Sequence, residues 1–316
     1  MSGIAKVSVV IPTFRRPASV AKAIGSVLGQ TVKPFEVIVV SDGPDPEVEE
    51  VARSFNDPTV RVFCLETNKG AGAARNKGIE EAAGDYIAFL DDDDIWYRDK
   101  LKRQLEIVET AKEVNVLVGC LEERIFADGR KSVYPSVMPV EGETVMHYQF
   151  YPDKQGGSKG VHTSTWFGSV DLFRETPFRE GLPRHQDWQW IIDSYQFCSP
   201  KILMVREVLA AQNVPPRHSR RSAVFEYTYG WYKKNKENLP SYARCSILGS
   251  VAKKMGSEGS RSELFPFARE LWRQGCVSDV GGIFRLGGAI SRGIGGNVVR
   301  KVVRAWSRTS SRFRHD

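Results

Sequence analysis

The sequence has few cysteines and no long hydrophobic run. Its five cysteines are scattered along 316 residues without any Cys-Xaa-Xaa-Cys spacing, which argues against a disulfide framework and against a zinc site. The longest apolar stretches have the length of a strand, so we expect no transmembrane helix. The first residues lead into a strand without the apolar core of a signal peptide. These absences predict free thiols and a cytoplasmic protein.

The positive excess of the sequence lies in its C-terminal part. The formal net charge is +7, but residues 251–316 hold 13 Lys and Arg against 5 Asp and Glu, whereas the rest of the chain holds 32 against 33. Within residues 297–308, Val298, Val302 and Trp306 recur every fourth position, with arginines on another face. Such a basic amphipathic helix suits an anionic membrane surface. It could equally pack its apolar stripe onto the body. We expect peripheral membrane contact and no nucleic-acid partner.

The first 119 residues alternate strand-like and helix-like segments. Apolar runs rich in Val and Ile are separated by amphipathic stretches, a pattern typical of a mostly parallel sheet with both faces covered. In open sheets of this kind, ligands bind beyond the carboxyl ends of the strands. The predicted strands are Val7–Ile11, Val37–Val40, Val60–Leu65, Tyr86–Leu90 and Val114–Gly119, and the predicted helices span about residues 17–29, 46–55, 71–83 and 97–111.

The pattern becomes less regular after residue 120. The segment "EERIFADGRKSVYP" indicates a hairpin that turns at Asp128-Gly129, "STWFGSVDLF" indicates a strand, and a short helix is expected at about 187–197. Residues 222–275 have a helical pattern, which glycines interrupt after 277. The predicted organisation is an α/β domain at 1–220, with a nucleotide-binding half at 1–119 and an acceptor-binding half at 120–220, and a basic helical region at 221–316.

Four consecutive aspartates, Asp91–Asp94, follow the apolar run Tyr86–Leu90. Like charges repel, and a carboxylate at the mouth of a buried strand is costly unless it is solvated or given a cation. Such oxygens suit Mg²⁺ or Mn²⁺, and Mg²⁺ often binds one or two carboxylates together with substrate phosphate. A solvated loop is the alternative. The segment Lys69–Asn76 opens a helix with small residues and suits an anion, although a tight turn explains its glycines equally well.

Three segments resemble a known family in their order and spacing. They are "VSVVIPTFRR", "SVLGQTVKPFEVIVVSDGP" and "NKGAGAARNKGIEEAAGDYIAFLDDDDIW", within about the first 110 residues. Together they resemble the inverting family 2 glycosyltransferases of the bacterial polysaccharide type, which have the GT-A fold. The resemblance implies an α/β protein with a mostly parallel central sheet, flanking helices and a C-terminal helical region. It also implies transfer of a sugar from a nucleotide diphosphate sugar, usually a UDP-sugar, to an acceptor hydroxyl, with Mg²⁺ or Mn²⁺ as cofactor.

The resemblance also implies roles for single residues. The aspartates would form the family's Asp-Xaa-Asp motif, in which Asp91 and Asp92 face ribose and sugar and Asp93 binds the metal, with a register that is ambiguous by one position. Asp94 would be a second ligand or would cap the helix that starts near residue 97. His218 would contact metal or phosphate, or would belong to a solvated basic loop. The residues implied in donor binding are Pro12, Thr13, Phe14, Arg15, Asp42, Lys69, Gly70, Arg75, Asp91 and Asp92.

Inverting transfer also requires a base on the face of the sugar opposite the diphosphate. The resemblance points to Asp187 in "RHQDWQW", where Gln186 replaces the Glu of many members. An ordinary helix N-cap is the alternative for Asp187. His162 would border the acceptor site or be structural, and His185 is a further histidine to consider. The aromatic residues suited to stack on an acceptor sugar are Trp166, Phe167, Trp188 and Trp190.

The sequence thus predicts an inverting glycosyltransferase that uses a UDP-sugar donor. Its acceptor would be a saccharide or lipid-linked saccharide in bacterial polysaccharide assembly, at the cytoplasmic face of the inner membrane. Two alternatives stay open: a catalytically inactive nucleotide-sugar-binding scaffold, and a metal-dependent nucleotidyltransferase. A Mg²⁺-dependent phosphohydrolase would need a nucleophilic aspartate at the end of the first strand, where this sequence has Pro12-Thr13.

Overall fold

A computed structural model gives the fold of the chain. It describes residues 5–111, 115–151, 153, 155–214, 224–258, 270 and 274. The chain divides into two units, the first formed by Met1–Gln149 and Asp153–Pro216 and the second by Phe150–Pro152 and Arg217–Asp316. All residues that build the site below belong to the first unit. The predicted domain limits at residues 119 and 220 stay predictions.

Four parallel strands form the first half of the main sheet. β1 (Val7–Thr13) lies between β2 (Glu36–Ser41) and β4 (Tyr86–Phe89), and β3 (Val60–Cys64) pairs with the other edge of β2. Every residue of β1 and β2 is buried, as expected of parallel strands with both faces covered. The four strands predicted from the apolar runs are confirmed, and their ends differ by at most two residues.

The helices between these strands begin where local chemistry allows. α1 (Pro17–Leu28) starts with a proline, whose missing N–H costs nothing at the first helical position. α2 (Pro46–Ser54) is capped by Asp45, whose carboxylate accepts a backbone N–H of the first turn at 3.2 Å. α3 (Ala71–Glu81) follows Gly70, whose φ of 93° favours glycine. These helices confirm the predictions at residues 17, 46 and 71.

The helix predicted to start near residue 97 begins later. β5 (Asp94–Trp96) follows the aspartate run, and α4 (Lys100–Thr110) starts only after it. Asp94 therefore belongs to a strand, and the alternative that it caps this helix is wrong. The cause is the antiparallel pairing of β5 with β9 (Lys201–Val214), a contact that no local sequence pattern reveals.

The second half of the sheet is mixed. After β4 the order continues with β8 (Phe167–Ser169), β6 (Val116–Phe126), β9 and β5, while β7 (Lys131–Tyr134) pairs with β6. β8 is antiparallel to β4 and β6, whereas β6 and β9 run parallel. The antiparallel pairing of β6 with β7 confirms the hairpin predicted at Asp128-Gly129.

The strand predicted over "STWFGSVDLF" ends early. The Ser169 hydroxyl accepts the N–H of Leu172 at 3.2 Å and so caps α6 (Val170–Glu175). Two further helices are α5 (Val145–Phe150) and α7 (Gln186–Phe197). The position of α7 confirms the helix predicted at about 187–197 and brings Asp187 into its first turn.

The second unit is helical where the structure describes it. It contains α8 (Val224–Asn235) and α9 (Ser241–Glu258). The basic amphipathic helix predicted at residues 297–308 lies outside the described residues. Over the described part of the chain, no helix is both long enough and apolar enough to cross a membrane.

The cysteines follow the prediction only in part. Cys64, Cys120 and Cys198 are free thiols. Cys245 is disulfide-bonded, so the prediction is wrong for this residue. The reason is that a disulfide requires two cysteines to meet in space, and their spacing along the chain does not show this.

Candidate active site

The carboxyl ends of β1, β2 and β4 open into one cavity of about 330 Å³. Residues far apart in sequence meet here because the carboxyl ends of parallel strands share one edge of the sheet. Of the predicted donor-site residues that do not line the cavity, Arg15 and Gly70 directly adjoin lining residues along the chain, and Lys69 is two residues from Ala71. The lining residues are Pro12, Thr13, Phe14, Arg16, Asp42, Ala71, Arg75, Asp91, Asp92 and Asp93.

Phe14 and Arg15 lie at the exposed edge of the cavity. The Phe14 ring is 42% exposed, and the Arg15 guanidinium lies 5.1 Å from its centroid. The backbone N–H of Arg15 donates to Asp45 at 3.0 Å, and its φ of 54° is unusual for a residue with a side chain. An exposed ring beside a cation is a surface on which a planar base can stack.

Asp42 ties the end of β2 to the start of α3. Its carboxylate accepts the backbone N–H groups of Lys69 at 2.7 Å and Gly70 at 2.8 Å. The residue is 4% exposed, so these bonds replace lost water. Each carboxylate oxygen can accept a further hydrogen bond. Asp42 can therefore hold the loop and still face a ligand in the cavity.

Asp91 and Arg75 form a nearly buried ion pair beside the cavity. Arg75 Nη2 donates to Asp91 Oδ1 at 2.6 Å, and Nη1 donates to Gln186 Oε1 at 2.9 Å. Only 7% of the Arg75 side chain is exposed. Burial raises the pKa of Asp91, but Arg75, His162 and Arg16 together outweigh burial and hold that pKa below its ordinary value. One guanidinium thus joins the end of β4 to the start of α7.

Asp92 and Asp93 share the guanidinium of Arg16. Arg16 Nη1 donates to Asp92 Oδ1 at 3.1 Å and to Asp93 Oδ2 at 3.0 Å. The other oxygen of Asp92 accepts the Thr13 hydroxyl at 2.7 Å. Burial raises the pKa of Asp92. The Thr13 hydroxyl and the charge of Arg16 lower this pKa but do not cancel the effect of burial. The positive charge that Asp92 and Asp93 share limits their mutual repulsion.

Asp94 and His162 belong to a group behind the cavity. Asp94 accepts the Ser164 hydroxyl at 2.6 Å, and burial raises the pKa of Asp94 to about 7. His162 Nδ1 lies 3.5 Å from Asp94 and 3.4 Å from Glu122, and Nε2 lies 3.7 Å from Asp91. Burial lowers the pKa of His162, but these carboxylates raise it to about 9. The surrounding carboxylates therefore favour the protonated form of His162.

Asp187 lies in the first turn of α7 and is half-buried. The N-cap of this helix is His185, with a φ of 62°, so the alternative that Asp187 is the N-cap is wrong. Burial raises the pKa of Asp187, although a backbone hydrogen bond and the charge of His162 oppose it. A carboxylate with a raised pKa is suited to accept a proton near neutral pH. The neighbouring Gln186 is fixed by Arg75.

Three of the aromatic residues predicted to stack on an acceptor sugar lie in the core instead. Trp166, Phe167 and Trp190 are fully buried, and Trp190 donates to the Thr176 carbonyl at 2.6 Å. The correction has a simple cause, since both core packing and sugar stacking use large aromatic faces. Trp188 is half-buried and stacks on the ring of His185 with 4.6 Å between centroids.

Comparison with known proteins decides the family. Residues 8–176, more than half of the chain, match the family described as Glycosyl transferase family 2. The chain belongs to glycosyl transferase family 2. This membership supports the predicted enzyme class and argues against the nucleotidyltransferase alternative.

The relatives of this family 2 glycosyltransferase differ in how much of its chain they match. The amylovoran biosynthesis glycosyltransferase AmsB of Erwinia amylovora is 29% identical over 244 residues, which are 73% of this chain and 78% of AmsB. An uncharacterized glycosyltransferase of Rickettsia felis is 45% identical over 105 residues, which are 33% of this chain and only 17% of that protein. S. aureus TarS 1-349, solved in complex with UDP-GlcNAc, has a TM-score of 0.59 at 18% identity, over 92% of this chain and 82% of TarS 1-349. This likeness confirms the predicted GT-A fold.

The glycosyltransferase offers two groups of ligands for a divalent cation. In the inner group, one ligand atom each of Asp91, Asp94 and His162 lies within 4.8 Å of the others. The Asp94 side chain is only 2% exposed and lies behind the wall of the cavity, whereas Asp91 lines it. An imidazole nitrogen among the ligands suits Mn²⁺ better than Mg²⁺, which prefers oxygen ligands.

The outer group consists of Asp92 and Asp93, which line the cavity itself. The half-exposed Asp93 carboxylate and the nearly buried Asp92 carboxylate already attract one cation, the guanidinium of Arg16. A pair of carboxylate oxygens that holds a cation at the cavity surface fits Mg²⁺ or Mn²⁺ with phosphate oxygens as further ligands. Asp93 thus stays the predicted metal ligand. His218, the other predicted ligand, lies outside the described residues.

Sequence reasoning missed several residues of the site. Arg16 is the second arginine of "PTFRR", and its position just after the first predicted strand is the only signal that the sequence offers. Ser164 lies 70 residues from Asp94, its hydrogen-bond partner. Glu122 faces His162 from the middle of β6. Neither has a local pattern that could have revealed it.

Proposed function

We propose that this protein is an inverting glycosyltransferase that moves a sugar from a UDP-sugar to an acceptor hydroxyl. The observation that carries the proposal is the double contact of Arg75, which lies 2.6 Å from Asp91 at the cavity and 2.9 Å from Gln186. Gln186 immediately precedes Asp187. The two hydrogen bonds of Arg75 thereby fix the start of α7, with the Asp187 carboxylate of raised pKa, relative to the cavity proposed for the donor. Such a fixed arrangement favours a single displacement.

The donor would bind at the strand ends. Thr13, Phe14 and Asp42 line the part of the cavity suited to the base and ribose, with Pro12, Arg15, Lys69 and Gly70 as further contacts. The first turn of α3 brings small residues and a helix N-terminus beside it, which suits the diphosphate. TarS, a protein of similar fold, has been solved with UDP-GlcNAc, and this supports a UDP-sugar as donor.

The proposed cofactor is Mg²⁺ or Mn²⁺, held by Asp93 with the neighbouring cavity carboxylates. When bound, the cation offsets negative charge on the departing diphosphate. Asp91 and Asp92 then face the sugar and ribose, in agreement with their lining of the cavity. We favour the outer group over the inner one because Asp94 is nearly inaccessible from the cavity.

Asp187 is the proposed base. It takes the proton of the acceptor hydroxyl, whose oxygen forms a bond to the anomeric carbon of the donor sugar. The bond from that carbon to the diphosphate oxygen breaks, its electron pair stays with the diphosphate, and the configuration inverts. Burial raises the pKa of Asp187, which makes the carboxylate a stronger base than a solvated aspartate.

The proposed acceptor is a saccharide or lipid-linked saccharide in bacterial polysaccharide assembly. The amylovoran biosynthesis glycosyltransferase AmsB matches this chain over 73% of its length, which supports a polysaccharide product. The basic C-terminal segment at residues 297–308 would hold the enzyme at the cytoplasmic face of the inner membrane through anionic lipid.

The test is release of UDP from a panel of UDP-sugars with Mn²⁺, with and without a lipid-linked saccharide extract. Asp187→Asn should lower the turnover about 100-fold or more while UDP still binds. Asp93→Ala should weaken Mn²⁺ binding, and His162→Gln should leave it nearly unchanged. The matched control is Asp171→Asn, because Asp171 is an exposed aspartate in the first turn of α6.

Each outcome bears on one part of the proposal. Turnover that survives in Asp187→Asn would reject Asp187 as the base. Mn²⁺ binding that survives in Asp93→Ala but not in His162→Gln would move the metal to the inner group. UDP binding without turnover in either assay would indicate a nucleotide-sugar-binding scaffold and contradict the proposed reaction.

A further inference from the structure

Arg16 is the half-exposed cation of the cavity. Its backbone is fixed as the N-cap of α1, where its carbonyl accepts the N–H groups of Ser19 and Val20. Its side chain is 54% exposed, and the guanidinium is held only by the two carboxylates Asp92 and Asp93 among the described residues. A long side chain on a fixed backbone can redirect its charged end without any change of fold.

The guanidinium contacts the carboxylate pair that a metal ion would need. Asp92 Oδ2 accepts the Thr13 hydroxyl and Oδ1 accepts Arg16 Nη1, so each oxygen of Asp92 already has a hydrogen-bond partner. Asp93 Oδ2 accepts a hydrogen bond from the same nitrogen of Arg16. A divalent cation that approaches these carboxylates would meet a positive charge already in contact with them. Arg16 and a metal ion therefore compete for the pair.

The charges that line the cavity indicate which group Arg16 contacts when a nucleotide diphosphate binds. The lining residues include four carboxylates and two guanidinium groups. A nucleotide diphosphate adds negative charge to this acidic cavity, so it needs more cationic contacts than the free protein offers. Arg75 is fixed between Asp91 and Gln186 and is nearly buried. Arg16 is the lining cation with the freedom to turn toward the phosphates.

We propose that Arg16 is a catalytic residue that changes partners during the reaction. In the nucleotide-free protein it neutralises Asp92 and Asp93. When a UDP-sugar and a divalent cation bind, it leaves these carboxylates and donates its N–H groups to the diphosphate. It stays protonated throughout, and its charge stabilises the oxygen that receives the electron pair of the breaking sugar–phosphate bond. This inference rests on the proposed function.

Two measurements with opposite expected signs test the exchange. The first is the affinity of the nucleotide-free protein for Mn²⁺ alone, measured by electron paramagnetic resonance of free Mn²⁺. Arg16→Gln removes the competing charge and should bind Mn²⁺ about 3- to 10-fold more tightly than wild type. The second is turnover of the UDP-sugar with saturating Mn²⁺, where the same variant should lose about 30- to 100-fold in kcat.

Two further variants sharpen the test. Arg16→Lys keeps the charge but loses the planar fork, so its Mn²⁺ affinity should stay near wild type while its kcat recovers only in part. The matched control is Arg53→Gln, which removes an exposed guanidinium from Glu49 on α2 and should change neither quantity. Thermal unfolding of each variant checks that the fold is kept.

The possible outcomes are distinct. Tighter Mn²⁺ binding together with lower kcat in Arg16→Gln supports the exchange. Unchanged or weaker Mn²⁺ binding, or wild-type kcat, overturns it while the proposed function stands. If wild type binds neither Mn²⁺ nor UDP, the donor site of the proposed function fails, and the inference fails with it.

Discussion

Replacement of Arg75 by Met should expose the energetic weight of the Asp91 contact. The substitution removes a guanidinium that is 7% exposed and leaves Asp91, 23% exposed, without its closest cation. Breaking a buried ion pair from one side costs about 3–5 kcal/mol. The partial exposure of Asp91 and the simultaneous loss of the Gln186 contact place the expected loss at about 3–4 kcal/mol in the free energy of unfolding.

The double variant Arg75→Met with Asp91→Asn tests the cause of this loss. It removes the unpaired charge, so it should recover about 2 kcal/mol of the single-variant loss. The assay is urea unfolding at pH 7 of both single variants, the double variant and wild type, which together give a coupling energy. Effects of the two substitutions that simply add, within about 0.5 kcal/mol, would refute the reasoning.

The free energy of unfolding of Arg75→Met should depend on pH differently from that of wild type. In wild type, folding lowers the pKa of Asp91, so the ionised carboxylate stabilises the folded protein at any pH above the unfolded pKa. This stabilisation is lost as pH falls through the folded pKa. In Arg75→Met, burial is opposed only by the charges of His162 and Arg16, so the folded pKa of Asp91 is higher than in wild type. The folded variant then keeps a proton on Asp91 at a pH at which folded wild type has released it, so the variant loses less stability than wild type as pH falls. The stability gap to wild type should narrow as pH falls through this higher folded pKa.

Two other predictions concern stability. Burial lowers the pKa of Lys100 to about 7. Between pH 7 and about pH 10 the unfolded chain therefore keeps a proton on Lys100 that the folded protein has lost. The free energy of unfolding should rise over this range by up to about 1.4 kcal/mol per pH unit. Lys100→Met should lack this rise in unfolding titrations, and an unchanged slope would exclude Lys100 as its source. Gly78→Ala would put a Cβ 2.3 Å from Val10 and should cost about 1–3 kcal/mol. Gly230→Ala, with nothing within 4 Å, should be neutral or stabilising by up to about 1 kcal/mol in thermal unfolding, and equal losses in both variants would contradict the steric argument.

Local chemistry made the N-terminal half of the fold predictable. β1 and β2 are buried at every position, so their Val and Ile runs identify them without further information. Asp45 and Gly70 mark helix starts by capping and by backbone conformation. The convergence of Asp42 with the aspartate run follows from the rule that strand ends of one parallel sheet share an edge.

The remaining features depend on contacts between distant segments. β8 is paired between β4 and β6 through Gly168 opposite Ile87 and Phe167 opposite Val118, and a three-residue strand has no period from which to predict this. The aspartates resemble one another in sequence, yet Asp91 binds Arg75 and Asp94 binds Ser164. Which partner each carboxylate finds is decided by the directions of neighbouring side chains, and composition does not contain that information.

The hydrogen bonds of Asp42 have a consequence for the kinetics of ligand capture. Because its carboxylate already restrains the backbone at Lys69 and Gly70, the loop that leads into α3 has lost its conformational entropy during folding. A nucleotide that arrives at this edge then finds its contacts preorganised. Association should therefore be limited by diffusion and desolvation, and rapid-mixing traces of UDP binding should show a single phase without a slower rearrangement of this loop.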